Sequence, residues 1–353
     1  MNKYYDGKKL LSLKDQNGNI PEIYIVDGNR TSGKTTYFGR LVVRRFLRKK
    51  EKFILLYRYK YEISDCADKF FADIGSLFFP GYAMAQKNIA KGNFAELRIG
   101  SASEENIDYY DVCGYAISLN SSEMVKKYSH IFNDCTSIIF DEFQTETNVY
   151  CKDEVQKLIS IHTSVARGHG EQVRYVPVYM LGNHASLINP YYVMLGISTR
   201  LKPDTKFLRG NGYVLEMCMN LSAKEAQEKS AFNQAFSKHR YIEYSSENVY
   251  LNDSMAFVDK INDKFTYLCT IKVDGKSYAI KECETLGFIY CDDRVDHTFK
   301  TKLAVTTDDH DINYIMLKNN DYLIGMFRNL FRKGAFRFKN LLCKEAVLKL
   351  LSY

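Results

Sequence analysis

The residues that first bear on chemistry are Gly28-Asn29-Arg30-Thr31-Ser32-Gly33-Lys34-Thr35, which match GxxxxGK[ST] in full. Glycines let such a loop wrap so that its N–H groups point at a phosphate, helped by the start of the helix that follows. Lys34 brings a charge to the β- and γ-phosphates, and the Thr35 hydroxyl suits Mg²⁺. The eight residues, with Thr36 beside them, are the candidate nucleotide contacts.

Further along, Ile138-Ile139-Phe140 is an apolar run that closes in Asp141-Glu142. In a chain that already holds a phosphate loop, Asp141 can orient the Mg²⁺ shell and Glu142 can polarise the attacking water. This adjacent glutamate indicates hydrolysis at an assembly-type ATPase site, and without an NKxD-like element the nucleotide expected is ATP. Asn183, after another apolar run, could align the water or sense the γ-phosphate, although Asn at a strand end is also a turn former. Charge building on the phosphoryl group calls for a further cation. Arg167, in Ala166-Arg167-Gly168-His169-Gly170, and Arg174 are the two candidates, against the plain alternative of a solvated surface arginine.

These residues need elements to hold them. Ile23–Val26 favours a strand, and Phe38, Leu41, Val42, Arg45 and Phe46 recur on a helical period behind the loop. Strands are expected at 52–57, 94–99, 114–119, 137–140 and 176–181, with helices at 62–80 and 155–166. Apolar strands without polar alternation, separated by helices, indicate a mostly parallel sheet covered on both faces. This α/β domain is expected over 1–200. Pro203 and Gly210-Asn211-Gly212 then mark 201–250 as a linker or small helical subdomain, with a helix at 222–236 opened by a Ser222–Glu225 capping box. In 251–353, strands at 265–271, 277–280 and 286–290 around the Asp274-Gly275 hairpin, then helices at 311–330 and 340–352, predict a small α/β domain.

Composition narrows the classes. The 353 residues have room for two domains, and 46% apolar with 26% charged residues excludes wholesale disorder. No apolar run reaches the roughly 20 residues that cross a bilayer, so a soluble, non-secreted chain without a membrane partner is expected. The nine cysteines form no CxxC pair and are expected to be small buried hydrophobes; the seven histidines show no ligand spacing, and no structural metal is expected. A net charge of +7 is compatible with a nucleic-acid partner. The tail adds a basic strip of Arg328, Arg332, Lys333, Arg337, Lys339, Lys344 and Lys349, interleaved with Phe327, Phe331, Phe336 and Phe338. It reads equally as a nucleic-acid contact and as a helix whose phenylalanines are core.

Taken in order, the phosphate loop with arginine at its third position, Leu56-Tyr57-Arg58-Tyr59-Lys60, Ile138–Phe143, and Gly182-Asn183-His184-Ala185-Ser186 with Asn189-Pro190-Tyr191-Tyr192 resemble a known family. They are similar to the DNA-packaging (encapsidation) ATPases of small, short-tailed, protein-primed bacteriophages, relatives of the large terminases, most clearly over 20–200. The resemblance implies a P-loop NTPase of the additional-strand catalytic-glutamate class. It implies a homo-oligomeric ring motor, a pentamer, at the portal or connector of the capsid in the host cytoplasm, using ATP and Mg²⁺ to translocate double-stranded DNA, with a structural RNA as a further partner. Carried over, it makes Lys34 and Thr35 the phosphate and Mg²⁺ contacts, Asp141 and Glu142 the metal and water carboxylates, Asn183 the sensor and Arg167 the finger acting in trans. Lys60, with Arg58 as companion, would stand near the neighbour's nucleotide.

The resemblance also implies that the C-terminal domain is RNase H-like and has lost its metal site. From the residues alone, Asp274, Asp292, Asp293 and Asp296, with Asp308, Asp309 and Asp311, leave an active nuclease open. The segment 101–111 is a candidate pore loop despite its acidity. A helicase or recombination-type DNA-dependent ATPase is the alternative reading; intact Lys34-Thr35 and Asp141-Glu142 pairs argue against a pure binding module.

Overall fold

The computed structural model describes residues 5–104, 106–147, 149–168, 172–202, 205–218, 221–236, 253, 257–316 and 321–352. Its chain divides into two compact units, one of Met1–Leu195 with Leu201–Asn252 and the other of Gly196–Arg200 with Asp253–Tyr353.

In the first unit a short helix α1 (Lys8–Ser12) precedes β1 (Ile23–Gly28), α2 (Lys34–Lys49) and β2 (Lys52–Tyr57). Then come α3 (Cys66–Phe78), β3 (Tyr82–Ile89), β4 (Phe94–Ser101), β5 (Asp111–Ser118), α4 (Ser122–Lys127) and β6 (Cys135–Asp141). The unit closes with α5 (Glu154–Val165), β7 (Val178–Gly182), α6 (Pro190–Met194), β8 (Phe207–Gly210), β9 (Tyr213–Cys218), α7 (Leu221–Glu228) and α8 (Ala231–Ala235). The strands form one nine-stranded sheet in the order β3-β4-β5-β2-β6-β7-β1-β9-β8. From β5 to β9 all neighbours are parallel, while β3-β4-β5 and β8-β9 pair antiparallel at the two edges. Helices on both faces explain why the central strands read as unbroken apolar runs: Ile25, Val26, Phe53, Ile54, Ile138 and Phe140 are all fully buried. Phe38, Val42 and Phe46, four apart, bury one stripe of α2, and Arg48 and Lys49 sit where its C-terminal dipole favours cations.

Three expectations are corrected here. Residues 207–218 are not linker but the edge pair β8-β9, and β9 lies directly against β1. The pair is short, and its glycine turn masked it. Strand β3 went unread because only Met84 among its residues is buried, as befits an edge. The helix expected at 62–80 is split: a 3₁₀ turn at Lys60–Ile63 comes first, and Asp65, with φ of +56°, interrupts the chain before α3. Pro203, residues 237–252 and the side chain of Ser222 lie outside the described residues.

The second unit is a six-stranded sheet. Its strands are β10 (Thr266–Val273), β11 (Lys276–Cys283), β12 (Phe288–Asp292), β13 (Lys302–Ala304), β14 (Ile315–Met316) and β15 (Phe336–Phe338), in the order β14-β13-β10-β11-β12-β15. An antiparallel meander β10-β11-β12 carries parallel β13 and β14 on one side and parallel β15 on the other. Helices α9 (Asp321–Arg332) and α10 (Leu341–Ser352) complete it. The helix expected over 311–330 therefore starts later, since 311–316 is turn and strand and 317–320 lie outside the described residues. Phe327, Phe336 and Phe338 are at most 2% exposed, so of the two readings of the strip these phenylalanines follow the core one, with Phe336 and Phe338 on β15 and not on a helix. Seven of the nine cysteines are buried and none is bonded.

Candidate functional site

The phosphate loop runs between β1 and α2. Gly33 takes φ +88° and Thr31 φ +59°, the left-handed geometry that turns successive N–H groups inward. Gly28 is required for another reason: a Cβ there would stand 2.2 Å from the carbonyl oxygen of Cys218 on β9. Lys34, 6% exposed, folds back across the loop. Its Nζ donates to the carbonyls of Gly28 (3.2 Å) and Asn29 (2.9 Å), to Ser32 Oγ (3.1 Å) and to Asn183 Oδ1 (3.1 Å). Burial lowers its pKa, against the pull of Asp27 and Asp141.

Parallel pairing of β6 and β7 beside β1 brings the other strand ends to the same place. Thr35 Oγ1 donates to Asp141 Oδ2 at 2.9 Å. A cavity of about 600 Å³ is lined by Arg30 to Thr36, Asp141, Glu142 and Asn183, with Gln227 and Asn233 from α7 and α8. Gly28 and Asn29 stand behind the loop as anchors for Lys34. Burial raises the pKa of Asp141, offset by Thr35, the Glu142 N–H and Lys34. Glu142 is raised by burial and then by the charge of Asp141, with Arg30 opposing. Glu142 itself has φ +52°, an uncommon conformation for a residue with a side chain.

That conformation is clasped from behind. Arg58 Nη1 donates to the Glu142 carbonyl (3.2 Å) and Nη2 to that of Phe143 (2.7 Å). The same guanidinium closes on Glu154 through Nε and Nη2, at 3.0–3.1 Å. Tyr191 Oη and the Cys151 N–H also donate to Glu154. Arg58, expected as a companion of Lys60 toward a neighbour, is instead buried within the first unit, where the Glu154 carboxylate and two carbonyls offset the desolvation of its guanidinium. Lys60 is exposed on the 3₁₀ turn and does not line the cavity.

Arg167 stands exposed at the end of α5, its Nε donating to the Thr163 carbonyl (3.2 Å), and does not line the cavity either. Arg174 is held inward, with Nη2 donating to the Val165 carbonyl at 2.8 Å. His169 and Gly170 lie outside the described residues. Reading by sequence missed Glu154, Asp27 and Gln144, all buried polar residues. Their partners are distant in the chain, and no local pattern announces them.

In the second unit several of the candidate acidic residues are held by partners. Asp292, 1% exposed, meets Lys281 (2.9 Å), Lys339 (3.0 Å) and Arg294 (3.2 Å); despite burial, these hold its carboxyl far below the ordinary range. Asp309 accepts from the Asp274 and Gly275 N–H groups, and Asp311 pairs with Lys272. No cluster of three or more His, Cys, Asp or Glu able to hold a metal is found among the described residues. No helix among them is long and apolar enough to cross a membrane.

Comparison with known proteins gives these features a context. The chain is 26% identical over 356 residues to the DNA packaging protein of Bacillus phage phi29, covering 98% of this chain and 96% of that protein. It is 28% identical over 326 residues to that of Bacillus phage B103, covering 90% and 93%. Its fold is similar to a chain of the bacteriophage phi29 viral genome packaging motor assembly, with a TM-score of 0.70 at 21% identity over 99% of this chain and 100% of that one. The model of the podovirus DNA encapsidation protein (Gp16) matches residues 1–352, and the chain belongs to that family.

Proposed function

We propose that this chain is an ATP-driven motor which translocates double-stranded viral DNA into a preformed capsid, hydrolysing ATP between the subunits of a homo-oligomeric ring. The observation that carries the reading is the convergence of Lys34, Thr35, Asp141, Glu142 and Asn183 on one cavity in a chain of the encapsidation family.

Lys34 and the loop N–H groups bind the phosphates, with Thr36 behind them. Thr35 Oγ1 and Asp141 Oδ2, hard oxygen donors 2.9 Å apart on the cavity wall, fit Mg²⁺. The ion would neutralise charge developing on the β- and γ-oxygens. Glu142 in its ionised form accepts the proton of the attacking water, and Asn183, already bonded to Lys34, senses the γ-phosphate. On this reading the first unit is of the additional-strand catalytic-glutamate class. Arg167, exposed where Arg174 is clasped, is the cation that reaches a neighbour's site in a ring, a pentamer by family likeness, with Lys60 as a second.

The second unit supports an RNase H-like reading. The support is its strand order, an antiparallel three-stranded meander followed outward by two parallel strands, with β15 added at the far edge. Its acids sit in ion pairs and turns, so it is read as holding nucleic acid, DNA or a structural RNA, without cutting it. Arg332 and Lys333, exposed at the C-terminal end of α9, are the backbone contacts proposed there. The loop 101–111, with Tyr109 77% exposed, is the candidate grip within the ring. The ring would work at the capsid portal, in the host cytoplasm.

The test is ATP hydrolysis with and without duplex DNA, and DNA uptake into empty capsids that carry their portal. Salt-sensitive, sequence-independent stimulation and ATP-dependent uptake are expected. Unwinding of a forked duplex without capsids would favour the helicase reading.

A further inference from the structure

We propose that Gln144 is a positioning residue which ties Glu142 to the phosphate loop and to the Asn183 loop, so that it sets turnover and not nucleotide affinity. The inference rests on the reading of Glu142 as the carboxylate that activates water. Gln144 is two residues past Glu142 and 5% exposed. Its amide is used on both sides. Nε2 donates to Asp27 Oδ2 at 2.6 Å, while Oε1 accepts from the N–H groups of Ala185 (3.2 Å) and Ser186 (3.0 Å).

Each partner ends a different element of the site. Asp27, fully buried, precedes Gly28, whose carbonyl anchors Lys34. Its Oδ2 also accepts from Tyr192 Oη at 2.6 Å, and its Oδ1 stands 3.0 Å from His184 Nδ1. Ala185 and Ser186 follow Asn183, whose Oδ1 accepts from Lys34. One amide thus joins the ends of β1, β6 and β7, which carry the phosphate loop, Glu142 and Asn183. An amide suits this node because it donates to a carboxylate and accepts from backbone N–H groups at once. A shift of Asn183 on meeting a γ-phosphate is passed through Ser186 and Gln144 to the backbone of Glu142.

The experiment compares wild type with Gln144→Met and Gln144→Glu as full chains. Met keeps length and burial but loses all three bonds; Glu keeps the acceptor and sets a second carboxyl against buried Asp27, replacing the amide's donation by repulsion or by a shared proton. Steady-state kcat and KM for ATP, affinity for the non-hydrolysable analogue adenylyl-imidodiphosphate, and melting temperature are measured on each. We expect kcat to fall about tenfold or more in both, as misplacement of a reacting group does, with analogue affinity held within about twofold. Unchanged kcat in the folded Gln144→Met variant would overturn the proposal, as would a parallel loss of kcat, analogue affinity and melting temperature. Glu142→Gln is the control: if that variant still hydrolyses ATP at the wild-type rate, the reading beneath the inference has failed, whatever the Gln144 variants do.

Discussion

Arg58 and Glu154 close on each other inside the first unit, 6% and 1% exposed, and the arginine spends its remaining donors on the carbonyls of Glu142 and Phe143. The pair therefore supports the left-handed backbone of Glu142 with one group just past β2 and one at the start of α5. Removing one partner leaves the other charge buried and unpaired, which costs about 3–5 kcal/mol. Arg58→Met and Glu154→Leu should each lower the melting temperature strongly, and the double variant should lower it less than the sum. Strict additivity in thermal denaturation would contradict the pairing.

The Glu142 carboxylate is assigned to water and not to nucleotide binding. Glu142→Gln should cut kcat by about 10²- to 10⁴-fold while leaving ATP-analogue affinity near wild type. Lys34→Ala should instead abolish analogue binding, because its four hydrogen bonds organise the loop. Equilibrium binding of a fluorescent ATP analogue separates the two.

Arg167 is assigned to a neighbour's site, so its effect should depend on assembly. ATP hydrolysis per subunit should rise with protein concentration. Glu142→Gln and Arg167→Ala should each be inactive alone, and a mixture should recover part of the rate where each supplies what the other lacks. Rates strictly proportional to enzyme, with no recovery on mixing, would mean that each chain completes its own site.

Both site carboxyls are raised, Asp141 by burial and Glu142 by burial and then Asp141. A raised carboxyl stays protonated above its ordinary value near about 4, so the ionised form needed for catalysis is lost earlier as pH falls. The acid limb of the kcat profile should accordingly lie above the ordinary carboxylate range. Arg30 pulls Glu142 down, so Arg30→Met should move that limb further up in pH–rate measurements. A downward move would show that Arg30 does not face Glu142 in the working state.

Gly28 leaves no room for a side chain against Cys218. Gly28→Ala should spread β1 from β9 and lower both stability and nucleotide affinity, read by melting temperature with and without the ATP analogue. An alanine variant that melts and binds as wild type would mean that β9 yields easily.

The phosphate loop, the paired carboxylates and the central parallel sheet were legible in the chain because each depends on neighbours in sequence. A glycine loop ahead of a helix, or an apolar strand ending in acid, is a local pattern. The outer strands were not legible: β3 has one buried residue, β8 has four residues, and Glu216 breaks the apolar run of β9. The tail phenylalanines have the same spacing whether they face a partner or a core, so only their burial at Phe327, Phe336 and Phe338 separated the two.

By itself, then, the sequence determined which residue types could bind phosphate, hold a divalent cation and activate water. Tertiary structure decided how they are held. It turned Arg58 inward onto Glu154, left Arg167 outside while clasping Arg174, and joined Asp27, Gln144 and Ser186 across three strand ends. These choices rest on contacts between residues as far as 117 positions apart, as Asp27 is from Gln144. Their energetics depend on burial, where a polar group must find a specific partner or bear its full desolvation cost. Burial is a property of the packed chain, and no stretch of sequence carries it alone.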